Sequence, residues 1–386
     1  MEDKYLLKIH DKLPITIEHG EGVYVYDKNG NKYLDFVAGM AVSSLGYGNK
    51  EFSDTLKNQI DKIIHSSNLY HNETCGKAAR DLAKASGMNK IFFCNSGAEA
   101  VEGALKAARK YAYLKGNDKT KLIALKKSFH GRTMGALSIT GCKQYRKPFK
   151  PLIPGIDFAE NNNLDSVKKL ISDKTCAIII EPIQGEGGLY VADKEFLRGV
   201  RKLCDDNDIL LIFDEIQCGM GRTGSMFYWQ GIDVKPDILA MAKAIGNGLP
   251  VGAFGITEKI AKYPLMPKDH GTTYGGNPLA CGAVSKVLEI FKRENITDNA
   301  KEVGVYLTKK LDVVVMEFEC VKERRGLGLM QGLELNMPTK GIIDKALSEG
   351  LLITSAGDNV IRMLPPLIIT KAHVDEMIDK LKKALR

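Results

Sequence analysis

Lys243 has the surroundings most suited to covalent chemistry. It stands in Leu239-Ala240-Met241-Ala242-Lys243-Ala244-Ile245-Gly246-Asn247-Gly248, an apolar run that ends in a glycine-rich turn. Most lysines are solvated, but small apolar neighbours strip an amine of water, lower its pKa and leave it nucleophilic. Twenty-nine positions earlier, Leu210-Leu211-Ile212-Phe213 runs into Asp214-Glu215-Ile216-Gln217. A carboxylate at the end of a buried strand needs a cationic or hydrogen-bonding partner. Paired acids after a strand also suit a metal in ATPases, yet no Gly-x-x-x-x-Gly-Lys-[Ser/Thr] phosphate loop occurs in the chain.

Two further stretches carry chemistry. Cys94-Asn95-Ser96-Gly97-Ala98-Glu99-Ala100 lies between an apolar run and a helical one. A helix start there offers free N–H groups and partial positive charge to a phosphate, or is an ordinary turn with Ser96 near the cap. Ser128-Phe129-His130-Gly131-Arg132-Thr133 offers an aromatic face and a guanidinium, able to stack on a ring and hold a carboxylate, or simply a core Phe beside a surface Arg. The four stretches together meet the needs of pyridoxal 5′-phosphate (PLP): a lysine for attachment, an acid for the pyridine nitrogen, a phosphate anchor and a ring clamp. In this reading Asp214 keeps the ring nitrogen protonated and Lys243 doubles as the proton shuttle.

Elements must bring these stretches to one place. From about residue 75 to 275, short apolar runs recur at 91–93, 122–125, 177–180, 210–213, 238–241 and 252–256, with helical stretches such as 98–113 and 194–207 between them. Near-continuous apolar strands are what a parallel sheet covered on both faces requires. In such sheets ligands bind beyond the carboxyl ends of the strands. The spacing of Asp214 and Lys243 suits the ends of neighbouring strands joined by one crossover. Before this region, 22–27 and 32–36 flank a hairpin turn at 28–31, and a helix is expected at 50–64. After residue 280 come a long helix from Pro278, strands near 332–335, 351–354 and 360–364, and a final helix with Thr370 as N-cap and Val374, Met377, Ile378, Leu381 and Leu385 on one face. The expected division is an N-terminal segment 1–50 and a C-terminal part 281–386 forming a small α+β domain, with 51–280 as a large α/β domain.

The net charge of +8 comes from 55 basic and 47 acidic side chains, and it is spread out. The densest cluster, Lys322-Glu323-Arg324-Arg325, contains an acid and reads as a solvated face. Nucleic-acid binding would want a basic stripe with interleaved aromatics, and none is present. No run approaches the ~18 apolar residues of a membrane span, and the charged stretch 1–12 is unlike a signal peptide. The eight cysteines form no Cys-x-x-Cys pair and no zinc spacing. No metal is expected, and the expected compartment is the reducing cytoplasm.

At these residues the chain resembles the class III (subgroup II) aminotransferases of PLP fold type I. The likeness runs from Leu34-Asp35-Phe36-Val37-Ala38-Gly39-Met40-Ala41-Val42 through Asp214–Gln217 and Lys243 to Arg362-Met363-Leu364-Pro365-Pro366. Within the class, the short length, Ser96-Gly97-Ala98 and the stretch His270-Gly271-Thr272-Thr273-Tyr274-Gly275-Gly276-Asn277-Pro278 are similar to the acetylornithine aminotransferases of arginine biosynthesis. The resemblance implies a mostly parallel seven-stranded sheet and a homodimer with a shared site. It implies that Gly97 and Ala98 bind the PLP phosphate through their backbone, that Phe129 stacks on the ring, and that Gln217 reaches the ring oxygen. Glu215 and Ile216 belong to the same cofactor motif. Thr273 would bind the phosphate in the neighbouring subunit, and Thr272 would lie near substrate. Arg132 would take the carboxylate of acetylornithine far from the reacting amine. Arg362 would take the α-carboxylate of glutamate, with Glu186 covering it when the other donor is bound. Rival readings are ornithine, succinylornithine, succinyldiaminopimelate or 4-aminobutyrate aminotransferase, or a non-catalytic dimer of the same fold. Two departures stand out: Thr272 where serine is frequent, and Tyr47 where histidine is common.

Overall fold

A computed structural model describes residues 2–386, so that of the chain only Met1 lies outside it. At its centre is a seven-stranded sheet in the order Lys90–Cys94, Gly252–Ile256, Ile238–Met241, Leu210–Asp214, Thr175–Ile180, Lys121–Leu125, Ile156–Ala159. Gly252–Ile256 runs antiparallel to both its neighbours, and the other pairings down to Ile156–Ala159 are parallel. All six apolar runs singled out above are strands of this sheet. Their side chains are almost wholly buried because helices cover both faces.

The seventh strand, Ile156–Ala159, was not among those runs. It lies at the sheet edge, carries Asp157, and is mostly half-buried, so it lacks the apolar continuity of the inner strands. The helix Gly97–Leu114 packs across the sheet through Ala100, Ala104, Ala107 and Ala108, whose small side chains allow close approach. Its start is fixed by Ser96, whose hydroxyl accepts from the Glu99 N–H at 3.2 Å, while the Glu99 carboxylate accepts from the Asn95 N–H at 2.6 Å.

Asp214 and Ala240 are register partners on adjacent parallel strands, so the chemistry at 214 and 243 leaves the sheet at the same edge. The strand Leu210–Asp214 reaches its neighbour through one crossover, as the spacing predicts.

The outer segments form two smaller sheets. Ile17–Glu21, Tyr24–Asp27 and Lys32–Asp35 make an antiparallel meander, and Leu351–Leu352 adds to it parallel to Lys32–Asp35. The other has the order Val321–Leu327, Met330–Leu335, Val360–Met363, Thr354–Ala356. Val321–Leu327 bears out the reading of residues 322–325 as a solvated face for Lys322 and Glu323, which are exposed, and corrects it for Arg324 and Arg325, which are half-buried. It is a strand, and the Arg325 side chain is only 13% exposed. Four consecutive charged side chains show no alternation, so in sequence they look like surface coil.

The last helix is Lys371–Leu385, with Val374, Met377, Ile378, Leu381 and Leu385 buried. At its start the Thr370 N–H donates to Nδ1 of His373 at 3.0 Å.

Candidate active site

The carboxyl ends of the central strands open onto a cleft of about 440 Å³. Lys243, Asp214, Gly97, Ala98, Phe129, Arg132, Ile216, Gln217 and Glu186 all line it. Gly97 and Lys243, 146 positions apart in the chain, thus share one cavity, which no local pattern requires.

Lys243 opens a short 3-10 turn directly after the strand Ile238–Met241, at φ +52°. A left-handed lysine is strained and needs surrounding structure to hold it there, as is common at functional sites. Burial, aided by the positive charge of Arg362, brings its pKa down to about 8, against the pull of Glu186, Asp214 and Glu181. The amine is therefore within reach of its neutral, nucleophilic form near neutral pH.

Asp214 is held from two sides. Its Oδ2 lies 2.8 Å from Nδ1 of His130, and its Oδ1 accepts from the Ile216 N–H at 3.1 Å. His130 is itself buried and takes a second bond from its own N–H to the Thr140 hydroxyl at 3.0 Å. Sequence reasoning quoted His130 only as part of its stretch and gave it no role.

Glu181 was also missed. It follows the apolar strand Thr175–Ile180, so the strand-end rule that found Asp214 would have found it. Its carboxylate accepts from the Phe129 N–H at 2.6 Å and the Gly185 N–H at 3.3 Å. One side chain thus ties the loop of the aromatic clamp to the loop of Glu186. Burial raises its pKa to about 7; His130 opposes that rise and Asp214 adds to it.

Glu186 and Arg362 meet above the cleft at 2.7 Å. Arg362 is 1% exposed, Glu186 25%. Arg362 also donates to the Gly185 carbonyl at 3.1 Å, and its Nη2 lies 3.9 Å from Sδ of Met40. Met40 belongs to a left-handed turn in which Ala38, Gly39, Met40 and Ala41 have φ of 47, 61, 68 and 67°. Such a run costs roughly 1–2 kcal/mol per non-glycine residue. Val42, the next residue, lines the cleft.

Arg132 is exposed at the cleft mouth. Its guanidinium lies 4.0 Å from the ring centroid of Tyr145 and 5.3 Å from that of Phe129. Among the described residues it forms no ion pair.

Arg362 reaches the lining only through Glu186 and Gln217, and three further predicted residues stand apart. Glu215 points away from the cleft. Its carboxylate accepts from the N–H groups of Tyr228 and Trp229 and so caps the short helix Tyr228–Ile232. Burial raises its pKa to about 8. Thr272 is near but not part of the lining, its hydroxyl accepting from Asn95 at 2.8 Å. Thr273 is exposed and does not line the cleft of its own chain.

The family pattern named aminotransferase class-III matches residues 5–385. The chain belongs to that family. Curated relatives agree in kind. Acetylornithine aminotransferase of Methanocaldococcus jannaschii is 46% identical over 99% of this chain and 96% of its own length. The enzyme of the same name from Clostridium acetobutylicum is 45% identical over the full length of both. Among solved structures, ornithine aminotransferase of Toxoplasma gondii superposes with a TM-score of 0.95 at 31% identity, covering all of this chain and 93% of its own. A PLP-bound amine transaminase from an uncultivated Pseudomonas species superposes at 0.94 with 28% identity, covering 100% and 99%.

Class-III aminotransferases are PLP-dependent transferases, and the cleft fits that cofactor. A buried carboxylate and a depressed lysine face the same cavity. The long helix Gly97–Leu114 starts at this cavity, and the first N–H groups of a helix have no partner within it, which suits an anion. Among the described residues, no helix is long and apolar enough to cross a membrane.

Proposed function

We propose that the chain transfers the δ-amino group of N2-acetyl-L-ornithine to 2-oxoglutarate, reversibly, giving N-acetylglutamate 5-semialdehyde and L-glutamate, a step of arginine biosynthesis. The observation that carries this reading is the Glu186–Arg362 pair over the cleft that holds Lys243. One pocket must serve a donor with a carboxylate on its reacting carbon and a donor without one. Glutamate would meet Arg362 directly. Acetylornithine would leave that guanidinium uncovered, and an unpaired buried charge is costly, so Glu186 covers it.

The cleft lining supports the remaining roles. PLP, when bound, supplies an electron sink for the carbanion formed at the substrate carbon. Lys243 would be its attachment point, and its Nζ, when free, would hold and move the proton of the substrate carbon. Asp214, steadied by His130, would hold the proton of the ring nitrogen. The N–H groups of Gly97 and Ala98 would hold the phosphate, Phe129 and Ile216 would lie against the ring, and Gln217 would bond to its oxygen. Arg132, 4.0 Å from the Tyr145 ring centroid and without an ion pair among the described residues, would take the far carboxylate of the donor.

We further propose a homodimer in which Thr273 serves the partner's cofactor phosphate and Thr272 lies beside substrate. Support comes from the exposure of Thr273 together with Leu69, Tyr70 and Tyr274, with Asn68 donating to the Thr272 carbonyl at 2.9 Å. Residues 51–280 are taken as the cofactor-binding domain, with 1–50 and 281–386 as a second unit. The pairing of Leu351–Leu352 with Lys32–Asp35 supports joining the outer segments. The cytoplasm is the proposed compartment, in keeping with eight free thiols.

The test is a set of half-reactions followed by visible absorption, with acetylornithine, ornithine, succinylornithine and 4-aminobutyrate in parallel. Acetylornithine is expected to bleach the cofactor band with the highest kcat/KM. A higher value for ornithine or 4-aminobutyrate would overturn the substrate assignment.

A further inference from the structure

The hairpin that carries Glu186 is gripped at both ends of its tip. Ile183–Gln184 pairs with Tyr190–Val191, and the Leu189 N–H closes on the Gln184 carbonyl at 2.9 Å. Gly185 through Gly188 form the tip. On the entering side, Gly185 is tied to Glu181 and Arg362, as described above. On the leaving side, the Gly188 carbonyl accepts from Nη1 of Arg325 at 3.2 Å. The same guanidinium lies 4.1 Å from the centroid of the Tyr190 ring. Nζ of Lys127 approaches that ring at 4.5 Å and donates to the Tyr190 hydroxyl at 3.2 Å.

Arg325 does not line the cleft. It stands on the strand Val321–Leu327 with ion pairs to Glu323 and Glu334 that fix its orientation. Gly188 has φ +114°, and an added Cβ there would lie 3.2 Å from both Nη1 of Arg325 and the Tyr190 ring. The backbone therefore has a hinge conformation open to glycine at the very residue that Arg325 holds.

We infer that Arg325 is a positioning residue for donor selectivity: its hold on Gly188 and Tyr190 sets the pivot about which Glu186 meets or leaves Arg362. This rests on the reading of Glu186 and Arg362 as a gate. The two gate states differ by contacts of one carboxylate, so a grip that favours one geometry of the tip shifts their populations. A loosened tip lets Glu186 leave more readily. Arg362 then faces incoming carboxylates, so glutamate gains relative to the δ-amine donor.

The test uses holoenzyme and reads the ratio of kcat/KM for acetylornithine to that for glutamate. Arg325→Met is expected to lower the ratio by about 3- to 10-fold. Arg325→Lys keeps the charge beside Glu334 but loses the flat two-armed contact, and is expected to lower it less. Tyr190→Leu should move the ratio in the same direction. Glutarate, a dicarboxylate with no amine, should bind Arg325→Met more tightly by calorimetry, a readout without turnover. Should Arg325→Met fail to fold, the lysine and Tyr190 variants carry the test. Equal losses for both donors in these variants, while Glu186→Ala still shifts the ratio, would reduce Arg325 to a structural role and overturn the inference. A ratio unmoved by Glu186→Ala would remove the gate itself, and the inference with it.

Discussion

Nδ1 of His130 lies 2.8 Å from Oδ2 of Asp214, and both side chains are buried. A histidine from the loop after one strand thereby orients the carboxylate that ends another strand, 84 positions later. The pair, and not Asp214 alone, lines the cleft. His130→Ala should leave the fold intact and lower kcat by about 10- to 100-fold, because a carboxylate free to turn misplaces its charge. Stopped-flow half-reactions measure the rate, and a pH titration of the visible band reads the protonation of the bound ring. Unchanged kcat and an unchanged spectral midpoint would dismiss the pairing as packing.

Lys243 predicts a pH profile. Its pKa is brought down to about 8, chiefly by burial, so the amine is charged and inert below that value and nucleophilic above it. The rate at which the cofactor-free chain captures PLP, followed by absorbance, should rise through about pH 8 and then level off. Lys243→Ala should fold and show no covalent capture at any pH. The same group affects stability. Its folded pKa lies below the ordinary 10.5, so from about pH 8 up to that value the unfolded chain binds more protons. In that window its contribution to the stability of the cofactor-free protein should rise with pH, and it should be flat below pH 8.

The proposed gate should separate the donors. Losing a charge-assisted contact of about 1.5–3 kcal/mol, Arg362→Leu should lower kcat/KM for glutamate by about 10- to 100-fold and that for acetylornithine far less. Glu186→Ala should act the other way, improving glutamate relative to acetylornithine. Steady-state kinetics with both donors on both variants measure it, and matching effects on the two donors would remove the gate.

Gly252 packs against the turn proposed to anchor the phosphate. A Cβ there would lie 2.2 Å from the carbonyl oxygen of Ser96, which is backbone and cannot swing aside. Gly252→Ala must push the Ser96–Gly97 turn out of place, at a strain cost of about 1–3 kcal/mol. A lower Tm and weaker binding of inorganic phosphate to the cofactor-free protein, by calorimetry, are the expected results. Phosphate affinity equal to the parent would show that the helix start at Gly97 is not the anchor.

Glu215 should behave as a structural residue despite adjoining Asp214. Glu215→Ala leaves the Tyr228 and Trp229 N–H groups without their acceptor, for a loss of about 1–3 kcal/mol each. Denaturant unfolding should register it, while the visible spectrum of the loaded enzyme stays as in the parent. An altered cofactor spectrum with unchanged stability would return Glu215 to the site.

Some of this was determined by the sequence itself. The strands Leu210–Asp214 and Ile238–Met241 were legible because a strand buried on both faces must be apolar throughout, and the residue that ends such a run stands out. Asp214 and Lys243 were found on that ground, and Gly97 by the start of an alanine-rich helix. The edge strand Ile156–Ala159 and the strand beneath Lys322–Arg325 were not legible, since burial on one face imposes no such continuity. Tertiary structure alone decided which way each side chain turned. It took Glu215 out of the cleft and brought in His130 and Glu181. It also set Arg362 against Glu186, 176 positions away in the chain. A buried polar group is satisfied by whatever partner the fold brings within about 3 Å, and that partner's place in the sequence has no bearing on the distance.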